Sequence, residues 1–558
     1  MRGLYVLLVV AGCADDSYII VTVDKRPAVH DAKKLAVTLS NEGSMRAEAL
    51  DLTTATFPVT FSISAPGRAG DLGISIDATD SAGLLVGHGS TTTPLLTSTA
   101  SLLLDSADFV VNTDVANDQF LSDDFEAVGL QLAAAADGTW MAGYRDSPCT
   151  SCSIWGRRFD VTGAPLTSAI VANDHAFQLT TTLTQITSQV ALASAGGKML
   201  AFWDFADTVG SGQGIACRSV DMTGTALPSQ LSLATEPGAD VVSATALSNG
   251  NFAIAWNASI GTGVSQVRTI IARPDCMTVI ANPVSVSATG GMFGARRAHV
   301  AANGMSVLYA WILDNQDVHV RGTNNGAGFM AGDVAFLTHT ATDEVSHVRV
   351  APLGAGFAVV VRWSAINGTG PGKIELYRSS PLGVVMGGPT LITDKSGSDF
   401  LSNKAFGVAT RSDGALMVVW HQCDNGGGSC EVFGRLIRPT GAPVGDAFPL
   451  ATTTINDQIN PSVVAVAADA FVAAWNDSST NAPDPVGTSV RARVIYPAYD
   501  SASAVLGAKC GGSLAACATG LACAMGTDGD QRCYATCTGA CPAGGTCTAA
   551  DTGNACTF

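Results

Sequence analysis

The chain has 558 residues, too many for one ordinary core, so two to four domains are expected. Only 14% of residues are charged and the formal net charge is -17, which argues against nucleic acid, whose binding needs Lys and Arg clustered against phosphate, and against electrostatic docking on anionic lipid. Sixty Gly, abundant Thr, Val and Ala and almost no 3.6-period amphipathic stretch point to an all-β protein with tight turns. Mean hydropathy is +0.28, yet beyond the N-terminus the apolar runs stop short of bilayer length: Val463–Trp475 is broken by Asp469, and the run at 355–361 ends at Arg362.

Residues 1–12 read as an export signal. Met1-Arg2 is a minimal positive start, Leu4–Val10 a short apolar stretch, and Val10-Ala11-Gly12-Cys13 closes it. This resembles the lipobox of bacterial lipoproteins, an aliphatic residue and two small ones before the cysteine that takes diacylglycerol. The resemblance implies lipidation at Cys13, cleavage before it, a tether over 13–16 and insertion of the acyl chains into a lipid bilayer. Each buried methylene would add roughly 0.8 kcal/mol to that anchor. Ala14, Asp15 and Asp16 after the cysteine lean towards the outer membrane. The other reading is an ordinary secretory signal with an incidental cysteine.

Residues 17–106 hold six or seven short strands with turn signals between them, among them "YIIVTV", "KKLAVTLSN", "FPVTFSISA" and "LGISIDAT". That density predicts an immunoglobulin-like β-sandwich, and the segment resembles the stalk domains of bacterial surface proteins, although it has no Cys-Trp-Cys core.

From 107 to 500 one pattern repeats seven times. An aromatic ends an apolar run at Tyr144, Trp203, Trp256, Trp311, Trp363, Trp420 and Trp475, with spacings of 59, 53, 55, 52, 57 and 55 residues. Strands ending in Thr precede each aromatic, at Thr113, Thr181, Thr235, Thr289, Thr338, Thr393 and Thr452, and a partial third marker is "GRRFDVTGAP" at 156–165 and "GRLIRPTGAP" at 434–443. Asx-Gly or Gly-Gly pairs before five of the aromatics suit two-residue hairpins. Four antiparallel strands per repeat, closed radially, predict a seven-bladed β-propeller whose aromatics are core residues packed between blades.

Fifteen cysteines divide evenly once Cys13 is set aside. Six lie in the propeller region: Cys149–Cys152 and Cys423–Cys430 are expected to close local loops, and Cys217 with Cys276 is the pair left over. Eight lie in 501–558, at Cys510, Cys517, Cys523, Cys533, Cys537, Cys541, Cys547 and Cys556, in a module with almost no apolar core, so disulfides must hold it. Eight cysteines allow 105 pairings, so connectivity stays open. A zinc site at the C-x-x-C of 149–152 is the rival reading, without a His at ligand spacing.

The chemistry-bearing candidates are few. "ADGTWMAGY" approaches the Asp box of sialidases but departs from its pattern, and a hairpin explains it. Acidic residues gather after the Thr-ending strands: Asp114, Asp118, Asp123, Asp124 and Glu126 in the first unit, Glu236 and Asp240 in the third, Asp343 and Glu344 in the fifth, Asp394 and Asp399 in the sixth, and Asp457 in the seventh. On one face of a propeller they would form a rim able to hold Ca²⁺ or a cationic ligand; the alternative is solvated loops of an acidic protein. His319, His339 and His347 lack metal-ligand spacing. No nucleotide-binding or hydrolase fingerprint stands in its required strand–helix setting, no catalytic residue is assigned and no cofactor is expected apart from that Ca²⁺.

The whole layout resembles large bacterial lipoproteins with a lipobox, a β-sandwich stalk, a propeller and a cysteine-rich tail. The reading drawn from it is a membrane-anchored cell-envelope lipoprotein that acts as a non-enzymatic binding or adhesion scaffold, its propeller presenting a rigid face to a protein or glycan. The alternative is an envelope carbohydrate-active enzyme, of glycosidase or lyase type, with carboxylates assembled at the propeller mouth.

Overall fold

The computed structural model describes residues 18–497, apart from 53–54, 114–117, 121–130, 147–152, 167–176, 181–184, 207–211, 222–225, 227–229, 261–263, 280–281, 289–293, 315, 326, 331, 340–342, 366–371, 395–405, 424–428 and 454; it also gives the backbone of short strands at 7–8, 521–525, 531–535, 546–550 and 553–557. Every regular element described is a strand.

The N-terminal module runs β1 (Leu7–Leu8), β2 (Tyr18–Lys25), β3 (Lys34–Asn41), β4 (Ser44–Asp51), β5 (Val59–Ser64), β6 (Asp71–Thr79), β7 (Leu85–Pro94) and β8 (Thr99–Ser106). Alternation decides its core: Ile19, Val21 and Val23 of β2, Phe61 and Ile63 of β5 and Ile74 and Ile76 of β6 point inward to one apolar cluster. The sheet order is β1-β5-β2-β8-β7-β6-β3-β4, with β2 parallel to β8. β6, β7 and β8 form a consecutive meander, and β3 pairs with β4 and β6. The pairings form two runs, β5-β2-β8 and β7-β6-β3-β4, that meet only where Gly87 and His88 face Ser106 and Asp105, an order different from the ABED and CFG sheets of an immunoglobulin domain. A chain with this many strands and one apolar face has several ways to order them, and strand spacing alone does not choose.

The module is bonded to the ring that follows. Ser106 Oγ donates to Val494 O (2.6 Å), His30 Nε2 lies 2.9 Å from Thr162 O, and Arg26 stacks 5.2 Å from the Tyr496 ring.

Seven sheets of four or five strands follow, each an antiparallel run from an inner to an outer strand. The second strands, which carry the marker aromatics, are Trp140–Asp146, Lys198–Ala206, Phe252–Ile260, Ser306–Leu313, Gly356–Ala365, Leu416–Cys423 and Phe471–Asp477. The inner strands touch their neighbours in a closed cycle, the first meeting the last. This is a seven-bladed β-propeller. The Asx-Gly hairpins form as expected, with Gly250 at φ 82° and Gly414 at φ 84°, a backbone only glycine adopts freely.

The aromatics are packing residues. Each of seven apolar clusters sits between consecutive blades and contains one marker, from Tyr144 between blades seven and one to Trp475 between blades six and seven. None is more than 5% exposed.

The Thr-ending strands belong to the preceding blade as its outer strand. Leu231–Thr235 completes blade two and Val385–Thr393 blade five. Phe109–Val110, the first of them in sequence, therefore completes blade seven, pairing with Ser489–Ile495. The propeller closes by joining its two chain ends. A buried charge network holds this seam: Arg491 Nη1 donates to Asp108 Oδ1 (2.9 Å) and Nε to Asp477 Oδ2 (2.7 Å), all three side chains being 5% exposed or less. Asp108 also accepts from Thr452 N (2.6 Å), Thr452 Oγ1 (2.8 Å) and Thr453 N (2.9 Å).

A fourth repeat feature lies on the third strands. Arg157, Arg218, Arg321, Arg435 and Arg493 share one position, two residues beyond the partner of the marker aromatic. Each Nη1 donates to main-chain carbonyls of the outer segment of the preceding blade, at Val111, Leu179, Val286, Ile392 and Leu450, over 2.8–3.0 Å. Blade three has Ile270 there and blade five Glu375. Where blade three lacks the arginine, the Cys217–Cys276 disulfide joins it to blade two. Cys423 and Cys430 are bonded across the hairpin of blade six.

Cys13, Cys149, Cys152, Cys510, Cys517, Cys537 and Cys541 lie outside the described residues. In the C-terminal segment the backbone register sets Cys523 opposite Cys533 and Cys547 opposite Cys556.

Candidate functional site

Strand register defines one end of the propeller. Asp240 stands opposite Asn257, Asp343 opposite Ala365, Glu344 opposite Ser364 and Gln458 opposite Asp477, so the inner strands begin where the aromatic-bearing strands end. The candidate acidic residues that are described lie at this end, and several of them bond a neighbouring segment. Glu236 is bound by Arg268 (2.8 Å) and by Trp256 Nε1 (3.1 Å). Asp118 Oδ1 accepts from Thr488 N (2.7 Å), and Asp457 Oδ1 from Cys430 N (2.9 Å). Lys373 Nζ is 4.0 Å from Asp343, Glu344 and Asp240 are half-buried, and Asp394 is exposed. Asp114, Asp123, Asp124, Glu126 and Asp399 lie outside the described residues. Among the described residues no three His, Cys, Asp or Glu side chains form a group able to hold a metal ion.

The histidines are separate. His319 Nδ1 is 2.6 Å from Asp333 Oδ1, His339 Nδ1 is 2.9 Å from Asp317 Oδ1, and His347 is buried on the inner strand of blade five.

One residue past the marker, five of the seven blades carry a buried polar side chain at the equivalent position. Arg145, Asp204, Asn257, His421 and Asn476 follow Tyr144, Trp203, Trp256, Trp420 and Trp475, and none exceeds 7% exposure. Alternation along a strand makes this necessary: if the aromatic faces the preceding blade, the next side chain takes the other face. Arg145 is lowered from its usual pKa by burial, with Asp204 opposing that shift. This set was readable as the dipeptides Tyr-Arg, Trp-Asp, Trp-Asn, Trp-His and Trp-Asn.

Inner strands add to the set through bulges. Pairing slips between Ile186 and Val190, Asp240 and Ser243, Arg296 and His299, Val345 and His347, and Ile459 and Ser462, in five of the seven blades. A bulge re-aims a side chain and bends its strand. Arg297 and Asn460 occupy two of these bulges with positive φ, 55° and 54°, and both are buried. Arg297 Nη1 donates to Ser346 O on the neighbouring inner strand.

Arg349 lies deeper, its Nε donating to Phe406 O (3.1 Å). Burial and the Arg297 charge push it down to about 9, so it remains a cation at neutral pH. Burial, then Arg349, also hold the His299 imidazole well below its usual range, and so neutral. Its Nδ1 accepts from Val350 N (3.3 Å). A chain of net charge -17 thus concentrates buried cations where blades four and five meet the channel.

The buried carboxylates of the seam serve another purpose. Asp108 and Asp477 are taken by Arg491, and Asp484 accepts from Asn112 Nδ2 (2.7 Å).

No protein-family model and no curated protein matches the sequence. Among solved structures, a protein of unknown function from Dyadobacter fermentans is 8% identical, with 70% of this chain and 98% of that one covered at a TM-score of 0.41. A Hadza microbial sialidase is 8% identical over 87% and 94% at 0.39. An α-L-arabinanase of Penicillium chrysogenum is 12% identical over 69% and 98% at 0.37. At these values the likeness carries no argument about activity, and the propeller rests on its own strand order.

Proposed function

We propose that the protein is a lipid-anchored lipoprotein of the bacterial cell envelope, in the outer membrane, that binds without catalysis. The aromatic-ending face of its propeller would engage a protein or glycan bearing an anionic group. The observation that carries this reading is the set of buried polar side chains that follow the marker aromatics at one end of the propeller. Arg145, Asp204, Asn257, His421 and Asn476, buried at equivalent positions, set mixed donors and acceptors beneath that face, with Arg297 and Arg349 buried on the inner strands of blades four and five. Such a polar layer would back a face that recognises one side of a large ligand. Hydrolysis of a glycosidic bond would need two carboxylates facing each other across the bond. Among the described residues the buried carboxylates Asp108, Asp477 and Asp484 are spent on closing the ring, Glu375 accepts from Tyr377 Oη (2.8 Å), and Asp204 lies near the Arg145 cation.

The test is binding of residues 17–558 to a glycan array and in pull-downs, with and without Ca²⁺. Ligands carrying carboxylate or sulfate should be retained, and His421→Ala and Asn257→Ala should weaken retention at least tenfold while leaving the melting temperature within a few degrees. Retention unchanged in both variants would remove the mouth as the site. For the anchor, incorporation of a fatty-acid analogue should require Cys13, and label persisting in Cys13→Ser would sink it.

A further inference from the structure

The N-terminal module contains a cavity that the propeller reading leaves unused. Its strands do not close: β4 and β5 are the two outermost long strands, and among the described residues β4 pairs only with β3. Between these ends lies a cavity of about 360 Å³. Its apolar walls are the buried side chains Leu39, Ile63, Leu72 and Leu95, one end of the module's own core. Met45, 76% exposed, stands among the lining residues.

Three observations say what fits. The first is an orphan acceptor. Asn41, 8% exposed, lines the cavity; its Nδ2 donates to Ala69 O (2.9 Å) and Asp71 O (3.0 Å), which fixes the amide orientation. Its Oδ1 is buried with no hydrogen-bond partner, an arrangement that costs stability unless a donor arrives.

The second is charge. Arg46 is held by Glu48 (2.6 Å), whereas the hydrogen bond of Arg68 is a long one to Ser44 Oγ (3.4 Å), and both arginines line the cavity.

The third is a template. The outer edge of β5 accepts the chain's own β1 in parallel, with Leu7 opposite Ser62 and Leu8 opposite Ile63. A strand laid there runs towards Ser64 and on to the 65–68 turn, so its carboxyl end approaches Arg68.

We infer that this cleft is a binding site for the carboxyl terminus of an extended peptide with apolar last residues. The peptide adds to the β5 edge in parallel and puts an apolar side chain into the cavity. It gives one N–H to Asn41 Oδ1 and its terminal carboxylate to Arg68. Strand addition supplies main-chain hydrogen bonds, the cavity selects the side chain, and the guanidinium distinguishes a chain end from a passing strand. The site is independent of the propeller mouth. It rests on the proposed cleavage before Cys13 in one respect, since residues 1–12 include the strand that covers the edge.

The test uses fluorescent hexapeptides ending in Leu-Leu, with a free or an amidated terminus, against chains beginning at residue 1 and at residue 13. The chain from residue 13 should bind the free acid at least tenfold more tightly than the amide. Arg68→Ala should erase that preference and leave amide binding unchanged, and Met45→Trp should block both peptides. Both residues are exposed, so the melting temperature should hold. Equal binding of acid and amide, or an acid preference that survives Arg68→Ala, would overturn the assignment. So would a fatty acid that competes fully and independently of Arg68. The chain from residue 1 should bind more weakly, because Leu7–Leu8 competes; equal affinity would remove the template argument and with it the parallel docking. Mass of the natural N-terminus reports the cleavage separately: a retained Met1 would refute the lipoprotein reading, while peptide binding by the chain from residue 13 would still stand or fall by itself.

Discussion

Blade two meets blade one through an arginine and meets blade three through a disulfide. At the first junction Arg218 Nη1 donates to Gln178 O and Leu179 O, both at 2.9 Å; at the second, Ile270 occupies the arginine position and Cys217 is bonded to Cys276. The same task, tying a third strand to its neighbour, is done by charge in one place and by a covalent bond in the other. The arginine works in either redox state, and it bonds main chain, so it constrains no partner side chain. The disulfide fixes one pair of residues and needs an oxidising compartment. Blade five, with Glu375 at that position, uses neither: Tyr377 packs edge-on against Phe336 of blade four at 6.3 Å.

The largest test of this contrast is at the seam. Arg491→Ala should cost about 4 kcal/mol, because it leaves Asp108 and Asp477 buried without their cation. It should appear as a large drop in urea midpoint, with early proteolysis around residue 109. Replacing Cys217 and Cys276 together by Ala should cost about 3 kcal/mol. A reductant should have no further effect at that junction, and a variant as stable as the parent would make the bond incidental. Arg218→Ala or Arg435→Ala should each cost about 2 kcal/mol, as expected for charge-assisted hydrogen bonds to carbonyls, with equal losses in oxidised and reduced protein. Ile270→Arg placed in the cysteine-free variant sharpens the comparison: the two ties are interchangeable if it regains part of the lost stability.

The smallest effect is that of pH. The folded pKa of His299 lies below its unfolded value of about 6.5, so the unfolded chain binds the extra proton. Its contribution is fully present above about pH 6.5 and is lost as pH falls, with a slope of at most about 1.4 kcal/mol per pH unit. Melting temperatures from pH 7.5 to 5 should show this fall, and His299→Gln should flatten it.

The propeller was legible because its markers are periodic, and a buried aromatic between blades can hardly be replaced without loss. Blade phase was not. Thr235 and Thr452 look like the start of a unit in sequence, and only pairing shows that their strands close the blade before. "GRRF" and "GRLI" were visible as a partial marker, but the reason, Arg157 and Arg435 reaching back to carbonyls, needs the third dimension. The Cys217–Cys276 and Cys423–Cys430 bonds followed from counting. The N-terminal strand order did not follow, because alternation fixes which side chains face inward and says nothing of which strands are neighbours. The site was the least legible part. Acidic loops stood out by composition, whereas the buried polar set is one scattered residue in each of five blades.

The outer strand of blade seven has a consequence for how the protein is made. Phe109–Val110 leaves the ribosome among the first elements of the propeller, yet its partner Ser489–Ile495 is among the last. Until then Asp108 has no Arg491, and the growing chain carries an incomplete blade at each end, with exposed strand edges that invite wrong pairing. Ring closure waits on a contact spanning 383 residues, so it is expected to be the late, slow step of folding. Under the proposed export, that step would wait until the whole chain has crossed the membrane.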